Sequence, residues 1–137
     1  MSTEGEKQTA ACDRFTKCRE LILSARACNE DTTRLRAIDT VLFEVLGWDK
    51  RDVETERYCR ETGYADYAFK QGDALCLMLE AKRNTIPFVL PDKKFGDKPV
   101  GFGLLAKECP EAGAALRQAS GYAAAEGARY VAVSNGD

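Results

Sequence analysis

A chain of 137 residues is long enough for one domain around one core. Its 45% hydrophobic and 31% charged content suits a soluble globular protein rather than a disordered one, no apolar run approaches a bilayer span, and the N-terminus MSTEGEKQTA carries no signal-peptide pattern. A net charge of −2 argues against a whole-domain electrostatic grip on nucleic acid, and the lack of any histidine excludes Ser–His and Cys–His catalysis.

Residues 1–10 are polar and are expected to fray. From 11 to 28, Phe15, Cys18, Leu21, Ile22 and Ala25 recur at helical spacing and predict an amphipathic packing helix. Asn29 reads as the cap of a second helix, with Glu30 and Asp31 in its first turn. Its predicted apolar face is Leu35, Ile38, Leu42, Val45 and Leu46; Gly47 closes it and Trp48 folds back on the core. Strands are expected at 52–57, 64–70 and 74–82, the last two joined as a hairpin through Gln71-Gly72-Asp73. The third is the most apolar and should be central, covered on both faces. The stretch 84–106, with Pro87, Pro91, Pro99 and three glycines, reads as a long loop or irregular insertion. Six basic residues at 81–107 face only Asp92 and Asp97, a surplus of four positive charges. Pro110 opens a third helix over 110–126, Gly127 ends it, and 129–134 forms a fourth strand before a turn at Asn135-Gly136.

The fold class expected is α/β, a central mixed sheet of about four strands flanked by helices. The organisation expected is a polar segment and packing helix at 1–28, then the domain proper at 29–137. The chain reads as the N-terminal piece of something longer. Six cysteines (12, 18, 28, 59, 76 and 109) stand singly with no C-x-x-C pair. That predicts no structural zinc and reduced thiols in a cytoplasmic protein, most of them small core hydrophobes. Acid–base work is left to carboxylates, lysine, tyrosine or metal-bound water.

The apolar third strand runs straight into Glu80-Ala81-Lys82. Residues i and i+2 of a strand share a face about 6.6 Å apart, so Glu80 and Lys82 point the same way. Asp66 lies across the hairpin. Asp66, Glu80 and the Ala81 backbone carbonyl suit a magnesium ion, which prefers one or two carboxylates with waters and a substrate phosphate. Lys82 beside it can orient water and offset charge on a phosphorane.

Asp66 followed by Glu80-x-Lys82 resembles the PD-(D/E)xK nuclease signature. The runs NEDTTRLRAIDTVLFEVLGWD, VETE, GYADYAF, LEAKR, RQASGYA and VAVSNG, in that order, resemble the N-terminal nuclease domain of type I restriction enzyme R subunits and relatives over about residues 29–136. The resemblance implies a restriction-endonuclease-like fold and a Mg²⁺-dependent DNA endonuclease, with Mn²⁺ able to substitute. It implies Asp66 and Glu80 as metal ligands, Lys82 as the catalytic lysine and Glu30 as an extra acidic residue near the metal. Gln118 and Tyr122 match its Q-x-x-x-Y motif and, four apart on a helix, share a face. Glu56 matches an acidic position on the first strand. Ala65 stands where the signature has proline, and the long 84–106 stretch departs from the pattern, which affects the DNA-binding surface. Implied partners are DNA, a second copy or larger assembly, and an ATPase or recognition subunit or further C-terminal region; no membrane is implied. A restriction or antiviral defence system is the implied setting.

Blander readings stand beside these. Glu80 and Lys82 make a solvated strand-end pair, Glu30 serves the helix dipole, Gln118 and Tyr122 pack a helix, and Glu56 is structural. The alternative functions are a non-catalytic, nuclease-derived module binding nucleic acid or a partner protein, and a hydrolase using the same acidic pocket on RNA or nucleotides.

Overall fold

The computed structural model describes residues 1–89 and 99–137. The polar N-terminus is helical. Helix α1 (Glu4–Leu23) opens on a capping box in which the Glu6 N–H donates to Thr3 Oγ1 and the Thr3 N–H donates to the Glu6 carboxylate. Two end groups are satisfied reciprocally, so the expected fraying of 1–10 does not occur. The helix also stops before 28, where the chain turns through Ala27 at φ 59°. Ile22 and Ala25 pack on Ala37, joining α1 to the rest of the core.

Helix α2 (Glu30–Thr33) is capped by Asn29, whose side chain accepts from the Thr32 N–H at 2.9 Å. It runs on as two π-helical segments, Arg34–Ile38 and Thr40–Val45. Hydrogen bonds from i to i+5 widen the turn, and the buried face follows that period. Thr33 and Ile38, Ala37 and Leu42, and Thr40 and Val45 are buried pairs five residues apart. Leu35 and Leu46, assigned to the core from an α-helical period, are 67% and 57% exposed. Trp48 does return to the core, edge-on to Phe69 with ring centroids 4.8 Å apart.

After a 3₁₀ turn at Lys50–Asp52 come β1 (Val53–Cys59), β2 (Gly63–Gln71), β3 (Ala74–Ala81) and, much later, β4 (Tyr130–Ser134). Their order in the sheet is β1-β2-β3-β4, antiparallel for the first two pairings and parallel for β3 with β4. The mixed α/β architecture is therefore as expected, with β3 central. One face carries Tyr67, Phe69, Leu79 and Ala81 against Ile38 and Leu42. The other carries Ala68 and Met78 with Ala65 and Cys59.

Ala65 and Ala68 share a face although strand alternation would separate them. The pleat changes phase across Asp66. Opposite Asp66 in the β1–β2 register stands Glu56, skipped between the pairs Thr55↔Tyr67 and Arg57↔Ala65, with φ 51° in the left-handed region. A non-glycine residue there costs on the order of 1 kcal/mol or more.

The expected loop at 84–106 contains a helix that sequence reasoning missed, α3 (Phe102–Glu108). Lys93, Lys94 and Lys98, most of the basic surplus of this stretch, lie outside the described residues. Helix α4 (Pro110–Glu126) starts at Pro110 and ends at Gly127, φ 75°, as read from the sequence. It covers the Met78 face through Tyr122 and Ala123. All six cysteines are free; Cys59 and Cys109 are buried and Cys18 and Cys76 pack half-buried against the core, so most do serve as small core hydrophobes, with Cys12 exposed.

Helix α3 has no side-chain cap and depends on its contact with α4. A Cβ at Gly113 would stand 2.7 Å from Ala106 Cα. Gly113→Ala should therefore destabilise the protein by about 1–3 kcal/mol, although alanine gains about 1 kcal/mol in an open helix. Chemical denaturation checks this; a stabilised variant would show that the two helices do not pack this closely.

Candidate active site

The β2–β3 ladder runs from Gln71↔Ala74 to Tyr67↔Leu79 and stops, although both strands continue. Where they part, the Ala81 N–H donates to Asp66 Oδ2 at 2.7 Å. The same register extended one step puts Asp66 across from Glu80. Glu56, Asp66 and Glu80 thus form a row of carboxylate residues across three strands, at the point where the pleat changes phase.

Glu80 is only 3% exposed. Its Oε1 accepts from Lys82 Nζ at 2.7 Å, while Oε2 is buried with no hydrogen-bond partner among the described residues. Burial first, with Asp66 and Glu30 adding to it, outweighs the help of Lys82 and pushes the carboxyl pKa up to about 6. Burial also disfavours the charge of Lys82, but Glu80, Glu30 and Asp66 outweigh it and its pKa is raised. Lys82 is therefore a fixed positive donor at neutral pH, unfit to serve as a base.

From α4, Gln118 Oε1 accepts from Lys82 Nζ at 3.3 Å, and Gln118 Nε2 donates to the Tyr122 hydroxyl at 2.8 Å. Gln118 steadies the lysine and Tyr122, which is buried, steadies Gln118. Glu30 lies at the start of α2, close enough for its charge to act on both Glu80 and Lys82. The structure brings Asp66, Glu80, Lys82 and Gln118 together, with Tyr122 one step behind, while Glu30 makes no hydrogen bond or ion pair to them among the described residues. Glu56 joins from β1, not through Glu80 but through an arginine.

That arginine, Arg34, is the participant the sequence reading missed. Its Nη1 pairs with Glu56 and lies 3.5 Å from Asp66 Oδ1. Its Nη2 donates to the Asp66 carbonyl and its Nε to the Tyr67 hydroxyl, each at 3.4 Å. The guanidinium also lies over the Tyr67 ring, 4.9 Å from its centroid. Tyr67 is fixed in turn by donating to Asp39 at 2.6 Å. Burial pulls against the arginine charge, but Glu56, Tyr67 and Asp66 outweigh it and keep the group protonated. The available signal was the four-residue step from Glu30, one helical turn.

For a divalent cation, the orphaned Glu80 Oε2 is the fitting feature, with Asp66 and the Ala81 carbonyl as further oxygen donors. Among the described residues no three His, Cys, Asp or Glu side chains are gathered as a ready cluster, and Asp66 is already engaged by Ala81 and Arg34. A cleft of about 380 Å³ is lined by Phe88, Leu105, Leu116, Val133 and Ser134, not by the acidic row. Comparison with protein-family models, curated sequences and solved structures gave no match. No helix among the described residues is long and apolar enough to cross a membrane.

A carboxyl whose pKa rises on folding binds its proton more tightly in the folded state, so its stabilisation is present at low pH and lost as pH rises. For Glu80 that window runs from 4.5 to about 6. Glu80→Gln should therefore be more stable than the parent at neutral pH, by about 1–2 kcal/mol, and equal to it in acid below that window. Melting curves across this range test it; a variant less stable at neutral pH would mean the Lys82 pair outweighs the burial cost.

Proposed function

We propose that the chain is a metal-dependent endonuclease domain of restriction-endonuclease-like fold that hydrolyses DNA phosphodiester bonds, within a bacterial restriction or anti-phage defence system. The observation that carries the reading is the buried, unpartnered Glu80 oxygen beside Asp66 and Lys82. A stabilising core has no use for a carboxylate held this way. A four-stranded mixed sheet with helices on both faces is compatible with that fold. The motif order described above supplies the rest of the argument.

Asp66, Glu80 and the Ala81 carbonyl would hold Mg²⁺ or Mn²⁺. When bound, such an ion polarises a phosphoryl oxygen and makes water a better nucleophile. Lys82, kept charged by Glu80, points a donor at the charge that develops on the phosphate. Gln118 and Tyr122 limit where that donor can go, which is preorganisation rather than chemistry. With a net charge of −2 the domain adds little attraction for DNA, so recognition falls to a second copy or a partner.

Plasmid cleavage with Mg²⁺ or Mn²⁺ is the test. Lys82→Ala should lower the rate by about 100-fold or more, and EDTA should abolish it. Loss of metal binding below about pH 6 should follow the protonation of Glu80. A folded parent with neither cleavage nor Glu80-dependent Mn²⁺ binding would sink the reading. That result would favour a module that binds nucleic acid or a partner protein without turnover, a reading favoured by the engagement of Asp66 with Arg34 and Ala81.

A further inference from the structure

Arg34 is the group in this site with no assigned task, and it occupies a telling position. Its side chain is 15% exposed and that of Asp66 is 12% exposed. It bridges two carboxylates from neighbouring strands and also reaches the Asp66 carbonyl. Tyr67, held by Asp39, presents both its hydroxyl and its ring to the guanidinium. The backbone beneath is distorted to suit, with Glu56 at φ 51°. The Ala81 N–H takes Asp66 Oδ2, and Arg34 faces the other oxygen, Oδ1, the one otherwise open to a cation.

We propose that Arg34 is a positioning residue that competes with the divalent cation for Asp66, so that the free domain loads metal weakly and loads it well once a DNA phosphate draws the guanidinium away. The inference rests on the metal-site reading above and adds a control to it. Two positive groups on one carboxylate repel strongly where water is scarce. A planar guanidinium is also well matched to a phosphate, which offers it the paired acceptors that it now finds on Glu56 and Asp66. In the exchange the phosphate supplies the acceptors, Asp66 is released to the cation, and Glu56, with its side chain 57% exposed, passes to water. Metal loading thereby waits for substrate, which protects a site that would otherwise be active without it.

The test is Mn²⁺ titration of the intact 137-residue chain. The parent, Arg34→Gln, Arg34→Lys and Glu80→Gln are compared, alone and with an uncleavable phosphorothioate duplex. Without DNA, Arg34→Gln should bind Mn²⁺ about tenfold tighter or more, because the competing charge is gone. Arg34→Lys keeps the charge and should stay near the parent. The duplex should tighten Mn²⁺ binding to the parent and leave Arg34→Gln unchanged. Glu80-dependent binding in the parent with no gain in a folded Arg34→Gln overturns the competition and leaves the nuclease reading standing. No binding by either protein overturns both. Binding by Arg34→Gln alone supports the competition. A measurement on the unmutated protein guards against a variant that fails to fold. The Arg34 Nε–H resonance should shift when Mg²⁺ and the duplex are added together, as its acceptor changes from the Tyr67 hydroxyl to phosphate, and an unshifted resonance overturns the proposal.

Discussion

The site depends on one hydrogen bond in which a side chain replaces a neighbouring strand. Past Tyr67 and Leu79 the ladder between β2 and β3 ends, and the Ala81 N–H donates to the Asp66 carboxylate instead. A buried backbone donor must have some partner, so the carboxylate is held as firmly as a rung would be. That bond fixes Asp66 relative to β3. It also leaves Glu80 at the end of a buried strand, with one oxygen on Lys82 and the other on nothing. The rest of the cluster is a response to this pair of carboxylates.

Counting formal charges shows how incomplete that response is. Glu30, Glu56, Asp66 and Glu80 face Arg34 and Lys82, so two negative charges remain among these six groups. Burial first, with Asp66 and Glu30 adding to it, raises the Glu80 pKa, and the neighbouring carboxylates keep Lys82 protonated. The strain sits on rigid elements: two strands of a packed sheet, a capped helix and the middle of α4. Such a surround can hold an unfavourable arrangement because the sheet core on both faces stabilises it independently.

Much of this was legible in the sequence, for identifiable reasons. Pro110 and Gly127 mark the ends of α4 by backbone chemistry alone, and the structure puts them there. The unbroken apolar run of β3 announced a strand covered on both sides, and 78–81 are buried. The grouping of Glu80, Lys82 and Asp66 followed from a period of two in a strand and a hairpin between two strands, whereas Gln118 came only from the resemblance to the Q-x-x-x-Y motif. What the sequence hid was decided by tertiary contact. Helix α3 has no side-chain cap of its own and carries a glycine inside it, so only its packing on α4 explains it. Leu35 and Leu46 misled because a period of 3.6 was applied to a helix that turns more slowly. Arg34 was invisible as a site residue because its partners, Glu56 and Asp66, come from strands 22 and 32 residues away. Phase changes in a pleat leave no mark on composition at all.

The slow turn of the helix after Thr33 has its own consequence. A π turn holds more residues than an α turn, so this segment is a spacer with length in reserve. Arg34 sits at its head over the acidic row, while Leu42 and Val45 anchor its far end in the core. Substitutions leave the distance between those two functions intact. Removing a single residue between them would rotate one end against the other by one residue's step, which in a π turn is smaller than the α-helical one. The site and the core are thus tied to each other by chain length, and in this segment a deletion, not an exchange of side chains, is the change that separates them.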